Sequence, residues 1–163
     1  MNAAIITARA GSKSIASKNI IPVHGKPLLV YVIEAAAGAR GIDRVFVDTD
    51  GESIASVARA HGATIIDRPE HLAGDHVNHG DVIKFDVEHV KALEPALENV
   101  VLLLGNTVMV DSALIDEALD VLDNDTDLDS VMSVWEAADD HPLRALEIDH
   151  GRIRPYGGVN DLN

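Results

Sequence analysis

Cysteine is absent, which excludes a disulfide framework and any thiolate metal site. Basic residues are scarce: 13 Lys and Arg stand against 27 Asp and Glu, a formal net charge of −14. Such a surface repels a phosphate backbone, so no nucleic-acid partner is expected. Long apolar runs are missing too, so no segment should span a bilayer. Met1-Asn2-Ala3 has neither a basic leader nor a long apolar core, so no secretory signal and a cytoplasmic location are expected. Eighteen acids are Asp and only five bases are Lys, a bias that fits a salt-loving source and equally an ordinary acidic protein.

What the chain does have is a core-forming composition. It is 47% apolar, and 163 residues are enough for one domain with a substantial interior. Acids are absent before Glu34, while Arg9, Lys13 and Lys18 fall in a short Gly/Ser-rich loop. That loop follows the apolar run Ala3–Ala8, which reads as a buried strand. Small residues let backbone N–H groups approach anionic oxygens, and the cations neutralise them, so the loop suits a polyphosphate. It matches neither G-x-x-x-x-G-K-[ST] nor G-x-G-x-x-G, and a solvated surface loop has the same composition.

Further along, strands are expected at 44–48, 63–66, 99–104 and 129–135, the third of these central because it is the most apolar. Helices are expected at 28–37, 52–61 with Asp50 as cap, 82–93, and from Asp111 or Ser112 to Leu122. Residues 145–149 and 152–156 form a candidate hairpin turning at His150-Gly151. This alternation predicts an α/β fold: a three-layer, Rossmann-like, mainly parallel sheet with helices on both faces. Ligands of such sheets sit at the strand carboxyl ends, which gathers the first loop, 48–50, 68–79 and 105–111 along one edge.

Arg9-Ala10-Gly11-Ser12-Lys13-x4-Lys18-Asn19 resembles the R-x-G-S-K-x4-K-N signature of the acylneuraminate cytidylyltransferases. Val47-Asp48-Thr49-Asp50 resembles that family's V-S-T-D segment. Arg68-Pro69-x-x-Leu72-Ala73-x-Asp75 resembles its R-P-x-x-L-A-x-D motif, and His141-Pro142-Leu143-Arg144 its H-P-[LY]-[RK] motif. The resemblance implies transfer of CMP from CTP to a sialic-acid-like 2-keto-3-deoxy sugar acid, with release of pyrophosphate. By position it makes Ala8, Arg9, Gly11, Ser12, Lys13, Lys18, Arg68, Val77 and His79 nucleotide-binding, with Arg9 and Lys18 stabilising charge on the α-phosphate. Thr107 and Arg144 inherit substrate binding, a guanidinium being suited to a carboxylate.

The resemblance also implies Mg²⁺, for which no ligands are identified in this chain, and a homodimer. Residues 1–138 would be the nucleotide-binding domain. Residues 139–163 would begin a dimerisation and sugar-binding segment whose remainder is absent. One segment departs from the pattern. Relatives carry Q-P-T-S-P-L-R after the central strand, where this chain has Gly105-Asn106-Thr107-Val108-Met109-Val110-Asp111. A non-catalytic nucleotide-binding domain and a nucleotidyltransferase for another sugar are therefore alternatives.

Overall fold

A computed structural model describes residues 1–11, 15, 17–134, 146–150 and 152–155. The chain divides into two compact units, 1–131 and 132–163.

The first unit is built on four parallel strands. These are β1 (Asn2–Thr7), β4 (Arg44–Thr49), β5 (Thr64–Asp67) and β6 (Asn99–Leu104), in the order β5-β4-β1-β6. A two-residue-per-strand hairpin, β2 (Pro22–Val23) and β3 (Lys26–Pro27), precedes the first helix. It turns through His24 and Gly25, both at positive φ, as a two-residue loop of the primed kind requires.

Helices α1 (Leu28–Gly38), α2 (Glu52–Ala60), α3 (His79–Leu93) and α4 (Ser112–Asn124) cover the sheet. Side-chain alternation along the strands makes two cores. Ala4, Ile6, Val47 and Leu103 face α1, α2 and α4, packing with Leu29, Ile33, Ile54, Ala58, Ile115 and Leu119. Ala3, Ile5, Phe46 and Ile66 face the other way, toward Val90 and Phe85 of α3. The expected three-layer arrangement is what forms. Among the described residues, no helix is long and apolar enough to cross a membrane.

Four expectations are corrected. β6 lies at the edge of the described sheet, and β1 lies inside it. A run of apolar residues reports burial but not strand order, and Leu102 and Leu104 of β6 are in fact exposed. The strand expected at 129–135 does not form: residues 129–134 are irregular and exposed, without the ladder partner that strands need, and Trp135 lies outside the described residues. α2 is capped by Gly51 with no side-chain bond, because Asp50 is engaged elsewhere. α3 starts three residues early, with Asn78 as its cap accepting from the Gly80 N–H, so His79 opens a helix rather than sitting in a loop.

In the second unit, β7 (Leu146–Asp149) and β8 (Arg152–Pro155) form the expected antiparallel hairpin, with Asp149 paired to Arg152 across the turn.

Candidate nucleotide site at the strand carboxyl ends

The loop leaving β1 is clamped by three interactions. The Ala8 N–H donates to the Asp48 carbonyl at 2.9 Å, which carries sheet pairing one residue past β1. The Ala10 N–H donates to Asp50 Oδ1 at 2.7 Å. Asn19 is buried, and its Nδ2 donates to the Arg9 carbonyl at 3.0 Å. Ala10 also lies so close to Gly51 that a Cβ there would stand 2.7 Å from its own. The chain path from Ala8 to Ala10 is thus set by the end of β4 and by Asn19.

A cavity of about 260 Å³ opens beside this path, lined by Thr7, Arg9, Arg68, Leu72, Gly74, Asp75, Val77, His79 and Val82. It brings together Arg9, Arg68, Val77 and His79, which the sequence places 70 residues apart along the chain. Thr7 Oγ1 lies 3.2 Å from His79 Nε2. Arg9 Nη1 donates to Asp75 Oδ1 at 2.6 Å, a half-exposed pair joining the first loop to the end of the R-P motif. A larger, shallower groove of about 640 Å³ runs between Arg40 and α4. It is lined by Asp116, Glu117 and Asp120, whose charge repels a polyphosphate.

Beneath the cavity lies a buried charge cluster. The Arg68 side chain is only 5% exposed and donates from both Nε, at 2.8 Å, and Nη2 to a single oxygen, Asp48 Oδ2. Among the described residues Arg68 pairs with neither of its chain neighbours Asp67 and Glu70. Asp48 is fully buried, and its Oδ1 has no hydrogen-bond partner among the described residues. Asp86 of α3 is likewise fully buried, with neither carboxylate oxygen partnered. Burial pushes the Asp86 carboxyl up to about 7, the Asp48 charge pushes it the same way, and Arg68 pulls it down. Burial also raises Asp48, against the hydrogen bonds and charge of Arg68.

The remaining expected site residues are placed as follows. Ala8 is buried, Gly11 is exposed, and Lys18 is half-buried at the start of a single 3₁₀ turn, Lys18–Ile20. Thr107 is exposed and its hydroxyl donates to the Leu104 carbonyl at 2.7 Å. Ser12, Lys13 and Arg144 lie outside the described residues. The sequence reading carried Asn19 only as the end of the first motif and Asp50 only as a helix cap, and it did not single out Asp86.

Gly105, which departs from the family pattern, has a steric reason. A Cβ there would meet Ala8 Cβ at 2.9 Å, the Thr7 carbonyl oxygen at 3.2 Å and Leu29 Cδ1 at 3.3 Å. Its N–H donates to that same Thr7 carbonyl. Gly105→Ala should therefore destabilise the fold by about 1–3 kcal/mol through overpacking, read as a lower urea midpoint at unchanged slope.

A parallel sheet covered by helices on both faces, with a cavity at its carboxyl edge, defines an α/β domain of the Rossmann-like class. Comparison with known proteins makes this specific. A family model described as cytidylyltransferase matches residues 3–143, and the chain belongs to that family. It is 38% identical over 116 residues to the N-acylneuraminate cytidylyltransferase of Escherichia coli O18:K1:H7, covering 71% of this chain and 27% of that protein. It is 32% identical over 118 residues to the pseudaminic acid cytidylyltransferase of Campylobacter jejuni, covering 72% of this chain and 51% of that protein. A solved CMP:2-keto-3-deoxy-manno-octonic acid synthetase complexed with CTP superposes with TM-score 0.64 at 25% identity, covering 78% of this chain and 49% of that one. The chain thus spans about half the length of these relatives, or less.

Proposed function

We propose that the chain provides the CTP-binding half of a sugar-acid cytidylyltransferase. The observation that carries this is the cavity at the strand carboxyl ends, where Arg9, Arg68, Val77 and His79 converge beside the first loop. In the proposed reaction, the anomeric hydroxyl of a 2-keto-3-deoxy sugar acid attacks the α-phosphorus of CTP and pyrophosphate leaves. Arg9 and Lys18 would balance the charge that grows on the phosphate, so the work of the protein is positioning and electrostatics. For Arg9 to reach the phosphate it must leave Asp75, a partly solvated pair that holds it weakly.

The relatives named above act on N-acylneuraminate and pseudaminic acid, which sets the substrate class proposed here. A sugar other than sialic acid has its own support. Gly105 offers no side chain, and Asp111 is committed to capping α4, accepting from the Leu114 N–H at 2.8 Å. Mg²⁺ belongs to the proposal only as the group that would neutralise the triphosphate. Among the described residues no three His, Asp or Glu side chains gather as ligands, and no Mg²⁺ ligand is assigned. No step is routed through it.

Calorimetry with CTP and CMP tests the nucleotide reading. CTP should bind more tightly than CMP, and Lys18→Ala should weaken CTP more than CMP, because Lys18 would serve the outer phosphates. Equal losses for both nucleotides would remove Lys18 from the polyphosphate, and absence of binding would remove the nucleotide.

A further inference from the structure

We infer that Asp86 is the positioning carboxyl of Arg68: a buried acid, held neutral on the core-facing stripe of α3, whose charge state governs how the Arg68 guanidinium is presented to the cavity.

The placement comes first. Val82, Asp86 and Val90 follow one another at i, i+4 spacing on the buried stripe of α3, so an acid occupies the middle of a core-facing row. An ionised carboxylate there, without hydrogen bonds, is far more costly than a neutral acid. Three carboxylate oxygens of the cluster lack partners among the described residues: Asp48 Oδ1, Asp86 Oδ1 and Asp86 Oδ2. A proton on Asp86 removes the cost of leaving an ionised carboxylate buried without hydrogen bonds. Asp48 is the poorer site for the proton, because its other oxygen already takes two Arg68 donors.

Charge counting gives the consequence. With Asp86 protonated, Asp48 and Arg68 cancel, and Arg68 lies against one carboxylate with Nη1 unpartnered among the described residues. With Asp86 ionised, two carboxylates compete for one guanidinium, the cluster becomes negative, and an anion in the cavity meets less positive charge. The groups acting on Asp86 are Asp48 from β4 and Arg68 from the end of β5, while Asp50 and His79 act on Asp48 in turn. The raised Asp86 pKa agrees with this geometry. The inference goes beyond nucleotide binding and needs no nucleotide for its test.

The experiment is an NMR titration of the isotope-labelled 163-residue chain from pH 5 to 9, following the Asp86 carboxyl carbon and the Arg68 Nε–H, with Asp86→Asn in parallel. The Asp86 carboxyl should titrate near pH 7, the Arg68 signal should move with the same midpoint, and that movement should vanish in Asp86→Asn. Overturning results are an Asp86 midpoint in the ordinary range near about 4, a proton found on Asp48 with Asp86 ionised throughout, or an Arg68 signal indifferent to Asp86. Should Asp86→Asn fail to fold, the coincidence or separation of the two wild-type midpoints still decides. CTP binding measured on the same samples keeps the readings apart. A chain with coupled signals and no CTP affinity retains this inference and loses the nucleotide, and the reverse outcome does the opposite.

Discussion

Arg68→Leu should destabilise the fold by about 3–5 kcal/mol at pH 8, the range typical for removing one partner of a buried ion pair. Among the described residues Arg68 is the cation that acts on Asp86, and it donates both of the hydrogen bonds that Asp48 Oδ2 accepts. Its loss leaves two buried carboxyls with no counter-charge among the groups that act on Asp86. Both must then take up protons to remain inside, and proton uptake becomes harder as pH rises. The cost should accordingly be smaller at pH 5, where protons are available, than at pH 8. Urea unfolding at the two pH values measures this directly. Adding Asp48→Asn should recover much of the loss, because it removes one of the stranded charges. A loss below about 1 kcal/mol, or one equal at both pH values, would mean that water reaches the cluster and screens it.

Asp86→Asn should make the protein more stable at neutral pH, an unusual direction for a change inside a core. The sign follows from linkage. The folded-state pKa of Asp86 is raised, from 3.8 to about 7, so the native state holds a proton that the unfolded chain has released. The stability tied to that proton is complete below 3.8, falls as pH rises, and is gone above about 7. Asparagine mimics the protonated acid at every pH. The two proteins should therefore match near pH 4, diverge between 4 and 7, and differ by up to roughly 4 kcal/mol above that, taking 1.36 kcal/mol for each pH unit. Paired denaturant curves across this range are the measurement. A difference that stays flat with pH, or an asparagine variant less stable at pH 8, would show that Asp86 is ionised and satisfied in the native protein.

The parts of the fold that the sequence revealed are those where local chemistry and topology agree. Ala3–Ala8 is apolar and breaks into small and basic residues, so both the strand and the anion-suited loop are visible at once. Arg68-Pro69 and His79 lie far from that loop in sequence, and only the rule that ligands meet at strand carboxyl ends places them beside it. The charge cluster was less visible because its two acids carry different disguises. Asp48 sits in a strand that continues to Thr49, where a buried charge resembles the start of a turn. Asp86 sits in a helix whose polar residues are numerous, and only its spacing from Val82 and Val90 marks it as a core position. Strand order was beyond reach, since the apolar content of β6 says how much of it wants cover and nothing about which strand lies beside it. The cap of α2 was misjudged for a tertiary reason: Asp50 is the natural local cap, and the Ala10 N–H claims it.

The pairing of β1 with both β4 and β6 sets a timetable for assembly during synthesis. Ala3 lies opposite Arg44 on one side, and Asn2 lies opposite Asn99 on the other. The α-amino group of Met1, 3.0 Å from Glu98 Oε2, likewise contacts a residue 97 positions away. A ribosome adding about 5–20 residues per second needs roughly 5–20 s to make that interval. For that time, Ile5 and Ile6 can be covered by the β4 side of the sheet but not by β6. The strand made first is completed last, so nascent chains arrested between residues 50 and 99 should engage chaperones that bind exposed apolar strands, and release them once β6 has emerged.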